Sequence, residues 1–223
     1  MADNKPLICK RPSEYKLIGD QSFFPVSWLH KQGFCEYQIY LEIVKGVKLK
    51  PTKQMIVGKE EHERLYSEFK AVAVPATFDR MLDLSKTEVV SSREFRVRDV
   101  EHGIYGLVDE ILMTPDQYII IDDKPGTTAY PSQINQVYGY CLAFKGVIKS
   151  VDNRRIISAL RKRGSNLIFW QGTFDDPAER SIAALVQHIH ALMSGSEQFG
   201  TSDNPNKCRA CSLKAACDRA LVS

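Results

Sequence analysis

Apolar positions from Trp28 to Val44 recur at helical spacing, with Leu29, Tyr40, Leu41 and Val44 among them. Ser27 stands where it can cap the helix they predict. A second helix is expected over Lys59 to Val72, opened by Gly58 and carrying His62 in its first turn, and Pro75 prevents its continuation. From Glu88 the period changes. Val89-Val90, then Phe95 and Val97, then Ile104 to Met113, then Tyr118 to Ile121 read as three or four successive strands. Turn residues break them at His102-Gly103 and at Thr114-Pro115-Asp116. The unbroken run Ile119-Ile120-Ile121 predicts a strand buried on both faces.

A helix from about Pro131 to Phe144 follows, then strands at Arg155 to Arg161 and Asn166 to Gly172 around the turn Arg163-Gly164-Ser165. The last long helix is expected to have Asp176 as N-cap and Pro177 at its first position. Its stripe of Ile182, Leu185, Val186, Ile189 and Leu192 marks a buried face, and Gly195 ends it. The tail after Phe199 is polar and too poor in apolar residues for a core of its own. With no internal repeat and no long linker, residues 1–223 predict one α/β domain, a mixed central sheet flanked by helices.

Composition narrows the class only a little. A chain that is 43% hydrophobic and 26% charged is an ordinary globular one, which excludes extensive disorder away from the ends. No apolar run approaches the roughly 18 residues a bilayer span needs, and the N-terminus lacks the apolar stretch of a signal peptide, so a cytoplasmic location with no membrane partner is expected. A formal charge of +3 permits a nucleic-acid partner without demanding one. In that compartment the six cysteines are expected as thiols, and the closely spaced ones as ligands.

The candidate chemistry centres on Gly106 to Lys124. Asp109 lies on one predicted strand and Asp122-Asp123-Lys124 ends the next, so a short hairpin turn lets Asp109 and Asp122 converge. Asp122 and Lys124 share a face of the extended chain, while Asp123 points away. Two hard carboxylates suit Mn²⁺ or Mg²⁺, which polarises a phosphoryl group and acidifies a bound water. Lys124 can orient that water or stabilise the developing charge. A surface hairpin with a charged end is the plainer reading of Asp-x-Lys alone. Gln136 and Tyr140 share a helical face and can contact a phosphate or base, or simply form a half-buried helix surface. His62, set among Glu60, Glu61 and Glu63, is either an imidazole ligand or an ordinary helix residue.

Cys208-x2-Cys211-x5-Cys217 forms a three-thiolate array, and Cys35 in the first helix is the best supplier of a fourth ligand. Zinc and an iron–sulfur cluster both remain open on spacing. Cys141 reads as a small buried hydrophobe and Cys9 as an isolated thiol.

Taken in order, these segments resemble the CRISPR-associated Cas-four exonucleases, iron–sulfur members of the RecB-like branch of the PD-(D/E)xK nucleases. The resemblance covers nearly the whole chain: Ser27-x-Leu29 to Cys35, His62, Gly106-x-x-Asp109, Asp122-Asp123-Lys124, Gln136-x3-Tyr140, and the cysteine triplet. Asp122 stands where the family often has Glu, and Glu36-Tyr37 where it often has Pro-Arg. The resemblance implies a restriction-endonuclease-like core whose Mn²⁺ or Mg²⁺ is held by His62, Asp109, Asp122 and the backbone carbonyl of Asp123, with Lys124 catalytic. It implies an iron–sulfur cluster, 4Fe–4S rather than 2Fe–2S, on Cys35, Cys208, Cys211 and Cys217, joining elements at about 27–46 and 200–223. The implied activity is exonucleolytic cutting of single-stranded DNA, with 5′→3′ the family's usual direction, in the service of CRISPR antiviral defence. Prespacers would be trimmed beside the CRISPR integrase. A RecB-like repair nuclease unconnected with CRISPR, or a DNA-binding adaptor of an integration complex with vestigial activity, are the alternatives. Arg154-Arg155 and Arg161-Lys162-Arg163 are expected at a solvated strand edge, with a DNA path as the second reading.

Overall fold

A computed structural model of the protein describes residues 4–9, 23–49, 51–148 and 151–222. Most of the N-terminal stretch without a leader-like run lies outside them, as does the side chain of Cys9.

Strand β1 (Asn4–Cys9) and the short β2 (Phe24–Pro25) precede helix α1 (Ser27–Cys35), the single turn α2 (Tyr37–Ile39) and a π-helical turn over Tyr40–Val44. Next come α3 (Lys53–Val72), β3 (Val74–Ala76) and α4 (Phe78–Leu84), then the meander β4 (Val89–Asp99), β5 (Ile104–Met113) and β6 (Gln117–Lys124). Helix α5 (Pro131–Ile148) leads to β7 (Arg155–Lys162), which turns back as β8 (Ile168–Thr173). The chain closes with α6 (Asp176–Ser194), α7 (Pro205–Ala210) and a 3₁₀ turn at Lys214–Ala216.

Among the described residues the strands make one mixed sheet of eight, ordered β3-β1-β4-β5-β6-β7-β8, with β2 paired to β5. The meander is antiparallel, and β6 to β7 is parallel because α5 carries the chain back across the sheet. The main core joins the sheet to α1, α5 and α6 through Leu29, Val137, Phe144, Ile182, Val186 and Ile189, among others. A second, far smaller core contains Tyr37, Leu41 and Leu213, with Cys35, Cys211 and Cys217 packed against it.

Several elements differ from expectation, each for a local reason. The first helix breaks at Glu36 instead of running to Val44, and no side chain caps it, since Ser27 is already its first residue. Leu29 belongs to the main core while Tyr37 and Leu41 belong to the small one, and the π turn re-phases the apolar side chains between the two. Helix α3 begins at Lys53, because Thr52 Oγ1 accepts the Met55 N–H, so His62 lies well inside the helix. Its early apolar residues Met55, Ile56 and Val57 are exposed, so they form no buried stripe from which a sequence reading could start. Helix α6 is capped by Asp175, one residue before the expected Asp176, and ends at Gly195 with φ of 79°, a left-handed position that glycine adopts without a Cβ clash. Strand β7 lies between β6 and β8, so it is interior rather than the expected edge.

Candidate metal centre and cysteine cavity

Strands β5 and β6 pair from Met113↔Tyr118 to Glu110↔Ile121 and then part. At the fork the Asp109 side chain takes over from the backbone ladder: its Oδ2 accepts the Asp123 N–H at 2.6 Å. Asp122 follows on β6, with Oδ2 2.7 Å from Lys124 Nζ. The same ammonium donates to Gln136 Oε1 at 2.8 Å, and Gln136 Nε2 donates to the Tyr140 hydroxyl at 3.3 Å. Helix α5 thus aims Lys124 from behind. Tyr140 can approach because residue 106 is glycine: a Cβ there would sit 2.5 Å from Tyr140 Cε1.

His62 comes over the fork from α3, with Nδ1 3.5 Å from Asp109 Oδ1. A residue the sequence did not reveal completes the group. The β4–β5 pairing passes from Arg93↔Glu110 to Phe95↔Val108, skipping Glu94, whose φ is 53°. A left-handed glutamate inside a strand is sparsely populated and costs on the order of 1–3 kcal/mol, so the surrounding structure must impose it. One ligand atom each from His62, Glu94 and Asp109 lies within 4.8 Å of the others, the only such group of three among the described residues.

The charges there are out of balance. Burial, and then the Asp122 carboxylate, push the Asp109 carboxyl well above the usual range, against the opposing hydrogen bond from Asp123 N–H. Burial and the Arg163 guanidinium lower His62, leaving a neutral imidazole with a lone pair near neutral pH. A carboxyl that holds its proton this firmly sits where a positive charge is wanted, and an uncharged imidazole is the form that ligates metals. The donor set of imidazole and carboxylates suits a divalent cation of the Mn²⁺ or Mg²⁺ type. His30 of α1 also feels Lys124 and Asp122, and burial lowers it. Nothing in its sequence neighbourhood announced that.

The side chain of Asp123 does point away from Asp122, into a second charge cluster. It takes Arg161 Nε at 2.7 Å and Arg93 Nη2 at 2.8 Å, while Glu110 takes Arg93 Nη1 at 2.8 Å and Arg161 Nη2 at 2.7 Å. Burial alone would raise the Asp123 carboxyl, but Arg161 and Arg93 outweigh it and hold it below the usual range. Arg161 is therefore neither at a solvated edge nor free for DNA. Arg154 is tied likewise, to Asp152, Ser85 and Thr114. The Asp123 carbonyl, implied as a metal ligand by the resemblance, accepts Arg163 Nη2 at 3.2 Å.

Cys35, Cys208, Cys211 and Cys217 line one cavity between the α1–α2 junction and the tail. Gln38 Nε2 donates to Cys211 Sγ at 3.2 Å. No three of the four sulfurs gather within 4.8 Å of one another. A single zinc with Zn–S bonds of about 2.3 Å would need them at roughly 3.8 Å. Cys141 is fully buried in α5, and burial pushes its thiol well up, as befits an inert core residue.

No known family profile matches the chain, and no curated protein matches it. Among solved structures, the crystal structure of SSO0001 is 15% identical with a TM-score of 0.48, covering 92% of this chain and 90% of that one. A protein from Eubacterium rectale, provisionally named an exonuclease, is 12% identical with a TM-score of 0.48, covering 92% and 91%. Likeness this distant says nothing about chemistry. Among the described residues no helix is long and apolar enough to cross a membrane.

Proposed function

We propose that this protein is a divalent-metal-dependent nuclease that cuts DNA phosphodiesters. The observation that carries the reading is the convergence of His62, Glu94 and Asp109, from three different elements, beside Asp122 and Lys124. Surface charge on a hairpin end does not explain a strained glutamate, a proton-holding carboxyl and a neutral imidazole turned toward one point.

His62, Glu94 and Asp109 would hold Mn²⁺ or Mg²⁺, and Asp122, the further ligand that the resemblance implies, stands beside them against Lys124. The bound ion supplies Lewis-acid polarisation of the phosphoryl group and a water of lowered pKa. The protein's own residues do the rest. A bound cation would favour the ionised form of Asp109, and its hydrogen bond from Asp123 N–H keeps the carboxylate in place. Lys124, braced between Asp122 and Gln136, presents one ammonium to the attacking water or to the charge developing on phosphate. Tyr140 keeps its proton, because burial and the Asp122 and Asp109 charges push its hydroxyl far up, so it steadies Gln136 instead of acting as a base.

The finer reading is exonucleolytic trimming of single-stranded DNA, 5′→3′, on prespacers beside a CRISPR integrase. The order of the sequence segments supports it. A four-thiolate iron–sulfur cluster, 4Fe–4S in preference to 2Fe–2S, belongs to the same reading. The four cysteines around one cavity, in the spacing that the resemblance implies, support this part of the reading.

The test is a timed digest of end-labelled single- and double-stranded DNA with and without Mn²⁺, by protein purified without oxygen. Asp122→Ala and Lys124→Ala are each expected to lose metal-dependent cutting by about 10³-fold or more while keeping the fold. Calorimetric titration with Mn²⁺ should show roughly tenfold weaker binding in Glu94→Gln. Full cutting by either alanine variant overturns the site, and binding of DNA without any cutting favours the adaptor. The two label positions read polarity, and a colourless protein overturns the cluster.

A further inference from the structure

Two pockets meet at Leu107. One, of about 440 Å³, lies over the metal residues and is lined by Lys59, His62, Tyr66, Glu94 and Asp109 with Leu107. The other, of about 690 Å³, runs on from it along the β4–β5 hairpin and is lined by Phe23, Arg96, Arg98, Tyr105 and Tyr140 with Leu107. Arg96 stands opposite Leu107 and Arg98 opposite Tyr105 in the strand register. Along this stretch Phe95, Val97, Ile104 and Val108 turn into the core, which leaves Arg96, Tyr105 and Leu107 exposed on the other face. The Arg98 guanidinium lies 4.2 Å from the centre of the Phe23 ring. Among the described residues, none that lines this second pocket is acidic.

We infer that this hairpin face binds an unpaired nucleic-acid strand, with a base stacked on Tyr105 and a phosphate on Arg96. Its placement next to the metal residues rests on the nuclease reading, since the strand would then run from this face to the point of cutting. The exposed Tyr105 ring and the exposed Arg96 guanidinium match a polymer of flat bases and negative phosphates. A duplex hides its base faces in the stack, so the partner is single-stranded.

The test is fluorescence anisotropy of a labelled oligothymidylate in EDTA across a salt series, so that neither metal nor cutting enters. Tyr105→Ala is expected to weaken binding about tenfold at every salt concentration. Arg96→Ala is expected to flatten the dependence of log K on log salt by roughly 0.7. Tyr105→Phe, which keeps the ring, should restore affinity, and circular dichroism checks the fold of each variant. Variants that bind as the native protein does, or a Tyr105→Ala that alters the salt slope but not the affinity, overturn the proposal. If these variants bind normally while the native protein cuts DNA with Mn²⁺, the groove falls and the nuclease stands. If Tyr105→Ala loses binding in a protein that cuts nothing, the groove stands and the nuclease falls.

Discussion

The carboxylate fork and the cysteine cavity are both candidate metal centres, yet they are held in opposite ways. The fork is carried by long strands inside an eight-stranded sheet, and the buried quartet of Asp123, Glu110, Arg93 and Arg161 supports it from the side. The cavity is carried by a broken helix, one short helix and a 3₁₀ turn, around a core of three buried side chains. So little apolar surface cannot order the tail by itself. If both centres hold metal as proposed, binding and folding should be separable at the fork and nearly one event at the cavity.

The sharpest way to break this comparison is to remove a ligand from each side. Cys208→Ser should abolish the visible absorption of the proposed cluster and raise hydrogen exchange across residues 200–222 by about 100-fold or more, with the sheet's protection little altered. EDTA at the fork should leave exchange in β4–β6 nearly as it was. Equal responses in the two regions would show that the tail has a core of its own after all.

A change of intermediate size tests the support beside the fork. Asp123→Ala leaves two guanidiniums facing one carboxylate in a site where the Asp123 side chain is fully buried. Breaking a buried pair in this way costs about 3–5 kcal/mol, which urea titration reads directly. If stability falls by less than about 1 kcal/mol, solvent reaches the quartet and the fork is not built to stand without its ion.

The same contrast explains what a reader of the sequence can see. Asp109, Asp122 and Lys124 stand out because their relation follows from strand period and one short turn, both local. Glu94 does not, since its role depends on the register that brings it opposite Asp109 and on a φ of 53° that no composition announces. Arg161 misleads for a related reason: β7 is taken for an edge until the strand order places β8 outside it. Strands β1 and β3 escape notice because each is short and acquires its place only by pairing with the other and, for β1, with β4. The tail is the reverse case. Its cysteine spacing is plain in the sequence, while the fold around it is set by two distant segments and a ring of polar contacts.

One of those contacts yields the smallest and most specific effect. His188 of α6 sits between two carboxylates, with Nε2 2.7 Å from Glu36 Oε2 and Nδ1 2.6 Å from Glu197 Oε2. Glu36 also accepts the Gly200 N–H at 2.7 Å, so one histidine links α6, the residue after Cys35 and the start of the tail. Burial alone would lower His188, but Glu36 and Glu197 outweigh it and raise it, because each ring nitrogen faces an acceptor and both must carry protons. A raised folded-state value means the stabilisation is complete below about 6.5, the ordinary histidine value, and is lost as pH climbs through the folded one. Docking of the tail should therefore loosen above neutrality, while acid alone should not loosen it until carboxylates protonate. His188 is partly exposed, so the change should be only a few-fold. Chelator-driven bleaching of the proposed cluster, followed from pH 6 to 9, is expected to speed up with pH in the native protein and to lose most of that dependence in His188→Gln. Metal-dependent cutting at the fork should show no corresponding step. A step shared by both sites would mean that the tail and the sheet are coupled more tightly than their separate cores imply.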